Sequence, residues 1–237
     1  MDLPGHVKQV HPMDHERIME DFMSEEERTR IRQLIEKIGT KVKKHSRTFT
    51  VLREDDVDLL LRAKYIIKVS RSPTINVFRV AERHKMRARI ICWPKDGNDQ
   101  MDYDADLELT DPVDLVRAVL PNCHVLTFDL TISFYQVRLP PHIAQSLVFE
   151  FRGSRYQFQV MPMGSRPSAE IMHRLVCALT SLPPDLERQV VRNVHIDNVR
   201  FMSESTDVLE QVKKIMEHRL TEYKMKINES PLVISTT

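Results

Sequence analysis

Two β-rich runs, each carrying a carboxylate to its end, constrain this chain more than any other feature. In the first, Val125, Leu126 and Phe128 make an apolar run of strand length that hands Asp129 to a short polar turn containing Thr131 and Ser133. In the second, Val190 to Met202, apolar residues alternate on both sides of Asp197-Asn198. Asp and Asn tolerate positive φ, so this pair is expected at a two-residue hairpin turn. If the two runs are neighbours in one sheet, Asp129 and Asp197 meet at its edge, as a two-metal phosphoryl-transfer site requires.

Composition narrows the chemistry. At 237 residues and 41% hydrophobic content the chain can bury a substantial core. A net charge of +1 supplies no global field for a polyanion, so any nucleic-acid contact must come from local patches. With five glycines and no G-x-x-x-x-G-K or G-x-G-x-x-G string, a glycine-rich phosphate loop is excluded. Cys92, Cys123 and Cys177 are odd in number and sit in apolar runs, which points to reduced core residues of an intracellular protein. No apolar segment reaches the roughly 18 residues of a membrane span and no signal core is visible, so a non-secreted protein of nucleus or cytoplasm is expected.

Along the chain, residues 1–22 carry His6, His11 and His15 without a period and are expected as a flexible tail. Ser24 with Glu27 forms a capping box for a helix through Ile31, Leu34, Ile35 and Ile38 that stops at Gly39. Lys41 to Arg47 is a basic linker, and Glu54 to Lys64 a helix with an acidic first turn. Strands at Ile75–Val80 and Met86–Trp93 form a hairpin bearing Arg79, Arg83, His84, Lys85, Arg87 and Arg89, a density of cations that suits a triphosphate. Turn chemistry follows at Trp93–Asn98, then an acidic loop. Pro112 starts and Pro121 ends a third helix. A second hairpin turns at Arg152-Gly153-Ser154. At Met161–Ala169, Gly164 permits close backbone approach by a ligand and Ser165 can cap the helix through Ile171, Leu175, Val176 and Leu179. The last helix, Thr206 to Tyr223, turns Val208, Val212, Ile215, Met216 and Leu220 inward, and an edge strand is expected at Leu232–Ser235.

In this order the strings resemble the fingers and palm of a retroelement reverse transcriptase. The resemblance is carried by Ile66-Ile-Lys-Val-Ser-Arg-Ser-Pro73, Arg87-Ala-Arg-Ile-Ile-Cys-Trp-Pro94, Phe128-Asp129-Leu130, Phe134 with Gln136, Tyr156-Gln-Phe158 with Met161-Pro-Met-Gly164, and His195-Ile-Asp-Asn198. It covers roughly Glu54 to Asn228, and Asp197-Asn-Val-Arg-Phe201 together with the arginine string ending Trp93-Pro94 looks most like the tyrosine-recombinase retroelements of the DIRS and VIPER type. The resemblance implies an α+β fold, an antiparallel sheet backed by helices, with residues 1–50 as tail and helix, 51–109 as fingers and 110–237 as palm. It implies an RNA-directed DNA polymerase that uses Mg²⁺, with Mn²⁺ as a substitute, to add deoxynucleoside triphosphates to a primer on an RNA or DNA template. Asp129, the Leu130 carbonyl and Asp197 would hold metal, assisted by Asn198. Lys85, Arg87, Arg89, Met163 and Gly164 would meet the nucleotide, Arg87 and Arg89 being equivalent candidates for the triphosphate. Phe134 would exclude a ribose 2′-hydroxyl.

Two departures qualify this. The family has Tyr-x-Asp-Asp where this chain reads His195-Ile-Asp197-Asn198, and the lost negative charge weakens metal binding. The chain also stops soon after its last helix, without the thumb or RNase H segment of the family, so such a segment is expected as a partner. The alternative is an inactive reverse-transcriptase-like domain acting as a nucleic-acid or protein scaffold. A third reading makes Asp129 and Asp197 turn residues of an ordinary α/β domain. Two converging carboxylates repel one another without a cation, which favours the catalytic reading over the scaffold.

Overall fold

The computed structural model describes residues 13–39, 52–82, 87–107, 109, 123–131, 133–227, 231 and 233–235, with the backbone alone at 81, 82, 87, 93 and 95–97. The expected third helix, the Lys41–Arg47 linker and Lys85 lie outside them. Helices α1 His15–Phe22, α2 Glu25–Ile38 and α3 Glu54–Arg62 lead to strands β1 Ile66–Val69, β2 Asn76–Glu82 and β3 Arg87–Trp93. Next come α4 Lys95–Gln100, β4 His124–Asp129, α5 Pro141–Ala144, β5 Val148–Phe151, β6 Ser154–Phe158, α6 Ser168–Leu179, α7 Pro184–Glu187, β7 Val191–His195, β8 Asn198–Ser203, α8 Thr206–Glu222 and β9 Val233–Ser235. They form two compact units, one built from Ile31–Asp104 and Phe134–Ser168, the other from Met13–Arg30, Ala105–Ser133 and Ala169–Thr237.

In the first unit β1, β6 and β5 make an antiparallel sheet in that order, and β2 and β3 an antiparallel ribbon. The β5–β6 hairpin closes through Arg152 (φ 48°) and Gly153 (φ 73°), the two left-handed residues of a two-residue turn that matches strand twist. Asp56 caps α3, its carboxylate accepting from the Arg53 N–H at 2.9 Å. It also faces Arg79 of β2 at 3.6 Å, with both side chains buried. Period-two alternation puts Arg79 on the same ribbon face as its cross-strand partner Ile90, which is buried, so Arg79 is a core ion pair and not a triphosphate ligand.

The second unit is organised by an antiparallel sheet in the order β7-β8-β4-β9. One face carries Leu126, Phe128, Val199 and Phe201, all buried, with Phe128 edge-on to Phe201 at 6.2 Å. Leu209, Val212 and Met216 of α8 and Ile171, Leu175, Val176 and Leu179 of α6 are buried in the same unit. Each such side chain contributes about 1.5–3 kcal/mol on burial. Ile215 is half-buried, at the margin of the face expected to point inward.

Four local expectations are corrected. Within the expected tail, residues 15–22 form α1: Ile18 and Met19 are fully buried, Phe22 meets Tyr223 at 5.4 Å, and the Tyr223 hydroxyl donates to Asp21 at 2.6 Å. Within the turn expected at 93–98, the chain enters the short helix α4 at Lys95. The Ser165 hydroxyl does not cap α6; it is buried without a hydrogen bond among the described residues, and its backbone carbonyl accepts from the Ser168 N–H at 3.1 Å. The fourth concerns the Asp197 turn itself and is described with the site. The Ser24–Glu27 capping box is present, Ser24 N–H donating to the Glu27 carboxylate at 2.8 Å and the Glu27 N–H donating to the Ser24 hydroxyl at 3.3 Å.

Candidate active site

The sequence places Asp129 as the last residue of a strand and Asp197 at a hairpin, and the register joins them. β4 pairs with β8 so that Asp129 lies opposite Asn198, and β7 pairs with β8 so that His195 lies opposite Asn198 as well. The two residues between the hairpin strands are therefore Ile196 and Asp197, one position earlier than the Asp197-Asn198 pair expected from turn chemistry. The Asp197 carbonyl accepts from the Leu130 N–H at 3.3 Å, tying the turn to the end of β4. Leu130 itself buries its side chain.

Cross-strand partners project to the same side of a sheet, which orders the face opposite the core into rows. His195, Asn198 and Asp129 form the row nearest the turn; Asn193, Arg200 and Thr127 the next; Val191, Met202, Val125 and Ile234 the third. Asp129 and Asn198 are exposed and Asp197 is half-buried.

Two residues that sequence reasoning passed over hold the turn. The buried Ser133 hydroxyl donates to Asp197 Oδ2 at 2.7 Å, while the Asn198 amide donates to Oδ1 at 3.1 Å. From α6, His173 Nδ1 accepts the Ile196 N–H at 3.3 Å, which leaves the ring proton on Nε2, directed at Cys177 Sγ at 3.4 Å. Burial, with Arg174 and His195 nearby, holds the His173 pKa below the ordinary histidine value against the opposing pull of Glu170. Glu170 is fully buried and takes a bidentate contact from Arg30 at 2.9 and 3.1 Å and one from Arg174 at 2.9 Å, anchoring the helix that carries His173. Ser133 was visible only as a polar turn residue, and His173 only as a polar break in an apolar helix.

The oxygen donors at this end of the sheet are two carboxylates and an Asn side chain, a set suited to a hard divalent cation such as Mg²⁺, with the His195 imidazole in the same row. No group of three or more His, Cys, Asp or Glu side chains placed to hold a metal occurs among the described residues. The donor set thus fits a cation at reduced charge. The cysteines take no part: burial pushes the Cys92 and Cys177 thiols up, away from thiolate.

Of the residues expected to meet a nucleotide, Lys85 lies outside the described residues; Arg87, Arg89, Phe134, Met163 and Gly164 belong to the first unit, with Met163 and Gly164 lying against β3. The Cys92 N–H donates to the Met163 carbonyl at 2.8 Å, and the Tyr135 hydroxyl, next to Phe134 in the 3₁₀ turn Ser133–Gln136, donates to the Ile90 carbonyl at 3.0 Å. Gly164 (φ 120°) lies so close to this strand that a Cβ would sit 1.9 Å from the Cys92 carbonyl oxygen. On the side where a Cβ would stand, Gly164 is approached by the chain's own backbone. The Gly164 carbonyl is further held by the Asn98 amide at 2.9 Å, and the Asn98 side-chain oxygen accepts the Arg166 N–H at 3.1 Å. Arg89 is half-buried opposite Val80, the Arg87 backbone pairs with Glu82, and Phe134 is half-exposed.

The family model described as reverse transcriptase (RNA-dependent DNA polymerase) matches residues 77–235, about two thirds of the chain. The chain belongs to the reverse transcriptase family. Among solved structures it is similar to a foamy viral protease-reverse transcriptase in complex with double-stranded DNA, with a TM-score of 0.66 and 12% identity over 95% of this chain and 44% of that one. The native prototype foamy virus protease-reverse transcriptase matches with a TM-score of 0.62 and 14% identity, covering 93% and 33%. A second foamy viral complex with double-stranded DNA gives 0.57 and 14%, covering 94% and 52%. The shared fold is the reverse-transcriptase fingers and palm, and the chain spans about a third to a half of the length of these proteins. No curated protein matches the sequence of this reverse transcriptase chain.

Proposed function

We propose that this chain is the fingers and palm of an RNA-directed DNA polymerase, extending a primer with deoxynucleoside triphosphates on an RNA or DNA template. The observation that carries this is the register placing Asp129 opposite Asn198, with Asp197 in the adjoining turn hydrogen-bonded to Leu130. Asp129, Asp197 and the Leu130 carbonyl hold Mg²⁺, Mn²⁺ being a substitute. When bound, the metal neutralises phosphate charge and lowers the pKa of the attacking hydroxyl. Ser133 and Asn198 fix the two oxygens of Asp197, so its carboxylate is oriented before a cation arrives. Lys85, Arg87 and Arg89 are assigned to the triphosphate, Met163 and Gly164 to the incoming nucleotide, and Phe134 to sugar discrimination. Residues 51–109 act as fingers and 110–237 as palm, with a thumb or RNase H segment as partner. The resemblance to DIRS and VIPER elements, and action inside the cell in nucleus or cytoplasm, belong to the same reading.

The scaffold reading has one specific support: Asn198 donates to Asp197, so both Asp197 oxygens already accept from neutral groups of the protein. Primer extension separates the two. Wild type extends a primer in Mg²⁺, Asp129→Ala loses at least about a thousandfold, the scale of several kcal/mol of metal-borne charge stabilisation. Asn198→Asp binds Mg²⁺ more tightly, and Phe134→Ala admits ribonucleotides. Absence of extension by both wild type and Asn198→Asp sinks the polymerase reading.

A further inference from the structure

Helix α6, which carries His173, is fastened on both sides of that residue by charged groups. One turn before it, the buried Glu170 carboxylate takes the fork of Arg30 and a further donor from Arg174. One turn after it, two half-buried guanidinium groups meet the last carbonyls of the helix. Arg192 donates to the Cys177 carbonyl at 2.8 Å, and Arg219 donates to the Leu179 carbonyl at 2.9 Å and to the Ser181 carbonyl. Cations belong at a helix C-terminus, where unpaired carbonyls carry the negative end of the dipole. Two of these fastenings start from the N-terminal helices. Arg30 is a residue of α2, and the Arg219 guanidinium lies over the Phe22 ring of α1 at 4.7 Å. Helix α1 is itself seated by the Asp14 N–H, which donates to the Tyr223 carbonyl at 3.1 Å. Phe22 and Arg30 precede the family match, which begins at residue 77, yet they hold the helix that takes the Ile196 N–H.

An apolar seat would stabilise α6 as well as this one does. Burying Glu170 among arginines is costly and adds little net stability, whereas a planar fork of donors sets the rotation and height of the helix. That precision matters at His173. Its 3.3 Å bond to the Ile196 N–H is at the long end for a hydrogen bond, and a shift of about 1 Å removes it. We infer that α1 and the first half of α2 are a brace for the metal turn, with Phe22 and Arg30 as positioning residues that act through α6 and His173 on Asp197. The inference rests on the polymerase reading only for what Asp197 binds.

The test follows Ile196 amide hydrogen exchange, Mn²⁺ affinity and thermal midpoint in the full chain, for wild type, Arg30→Met, Arg30→Lys and Phe22→Leu. Leu60→Ala, which opens the buried face of α3 in the first unit, supplies a destabilised control. Arg30→Met is expected to speed Ile196 exchange and weaken Mn²⁺ binding, each by about tenfold. Arg30→Lys keeps the charge without the fork and recovers part of both. Phe22→Leu keeps apolar bulk and removes the ring under Arg219, so it moves both in the same direction by about threefold, and it decides the matter should Arg30→Met fail to fold. Leu60→Ala lowers the midpoint and leaves Ile196 exchange and Mn²⁺ affinity at wild-type values. A lowered midpoint with wild-type exchange and Mn²⁺ affinity in Phe22→Leu overturns the brace, and so does an equal loss of Mn²⁺ affinity in Leu60→Ala. A wild type that extends no primer, while Ile196 exchange still answers Phe22→Leu, defeats the polymerase reading and leaves the brace standing.

Discussion

The molecule contains two tight hairpins that solve the same geometric problem in opposite ways. At Arg152–Gly153, left-handed backbone is taken up by a glycine with open space around it and an adjacent exposed arginine. At Ile196–Asp197, one left-handed residue is needed at the first central position, where glycine is usual, and the chain supplies a β-branched isoleucine at φ 58°. Such a conformation costs about 1–3 kcal/mol and persists only where the surroundings over-determine it. The surroundings here are specific: His173 takes the Ile196 N–H, Ser133 and Asn198 take the Asp197 carboxylate, and Leu130 takes the Asp197 carbonyl. Among the described residues no side chain hydrogen-bonds Gly153, and the turn is tied only by the exposed Arg152–Glu54 pair at 2.6 Å. One turn connects two strands; the other aims a carboxylate.

The largest effect that distinguishes them comes from removing the fastenings. Ser133→Ala and His173→Ala each weaken Mn²⁺ binding by about 10–100-fold, the usual result of losing a group that orients a ligand, measured by isothermal titration. His173→Asn, which returns an acceptor near Nδ1, restores most of it, and a uniform loss of fold without rescue would make His173 merely structural. Next come the backbone substitutions. Ile196→Gly relieves strain and raises stability by about 1 kcal/mol while loosening Mn²⁺ binding; Gly153→Ala lowers stability by about 1 kcal/mol with no effect on metal. Equal signs for the two in chemical denaturation would break the contrast.

The smallest effect is pH. The folded-state pKa of His173 is depressed, so more protons bind to it unfolded, and its contribution is complete above the unfolded value near 6.5 and lost as pH falls through the folded value. His15, held down chiefly by burial against the raising influence of Glu16, acts in the same sense. Between pH 7.5 and 5.5 the thermal midpoint falls, and the Ile196 amide gains hydrogen exchange while the Gly153 amide does not.

This contrast also marks what the sequence could and could not reveal. The two short hairpins β2–β3 and β5–β6, the Arg152–Gly153 turn and the helix beginning after Ser24 follow local rules, namely period two, left-handed glycine and reciprocal capping, and were legible, whereas β1, which joins β6, was not expected as a strand. The meeting of the Asp129 and Asp197 strands was legible too. The turn was misplaced by one residue because its chemistry points to Asp-Asn, whereas tertiary hydrogen bonds force isoleucine into the left-handed region. Helix α1 escaped notice because eight residues are too few to hold a helix alone, and much of its support comes from a distant partner, Tyr223. The packing of Gly164 against the Cys92 carbonyl was not legible, because nothing local discloses that contact. Arg79 and Arg89 look alike in sequence, yet alternation buries the first against Asp56.

The central claim, that Asp129 and Asp197 serve one divalent cation, is tested most directly by Mn²⁺ titration of wild type, Asp129→Ala, Asp197→Ala and the double variant. The account predicts that either single change removes the same binding isotherm and that the double variant loses nothing more. Two independent isotherms, each abolished by only one of the substitutions, or wild-type binding in both single variants, would contradict it.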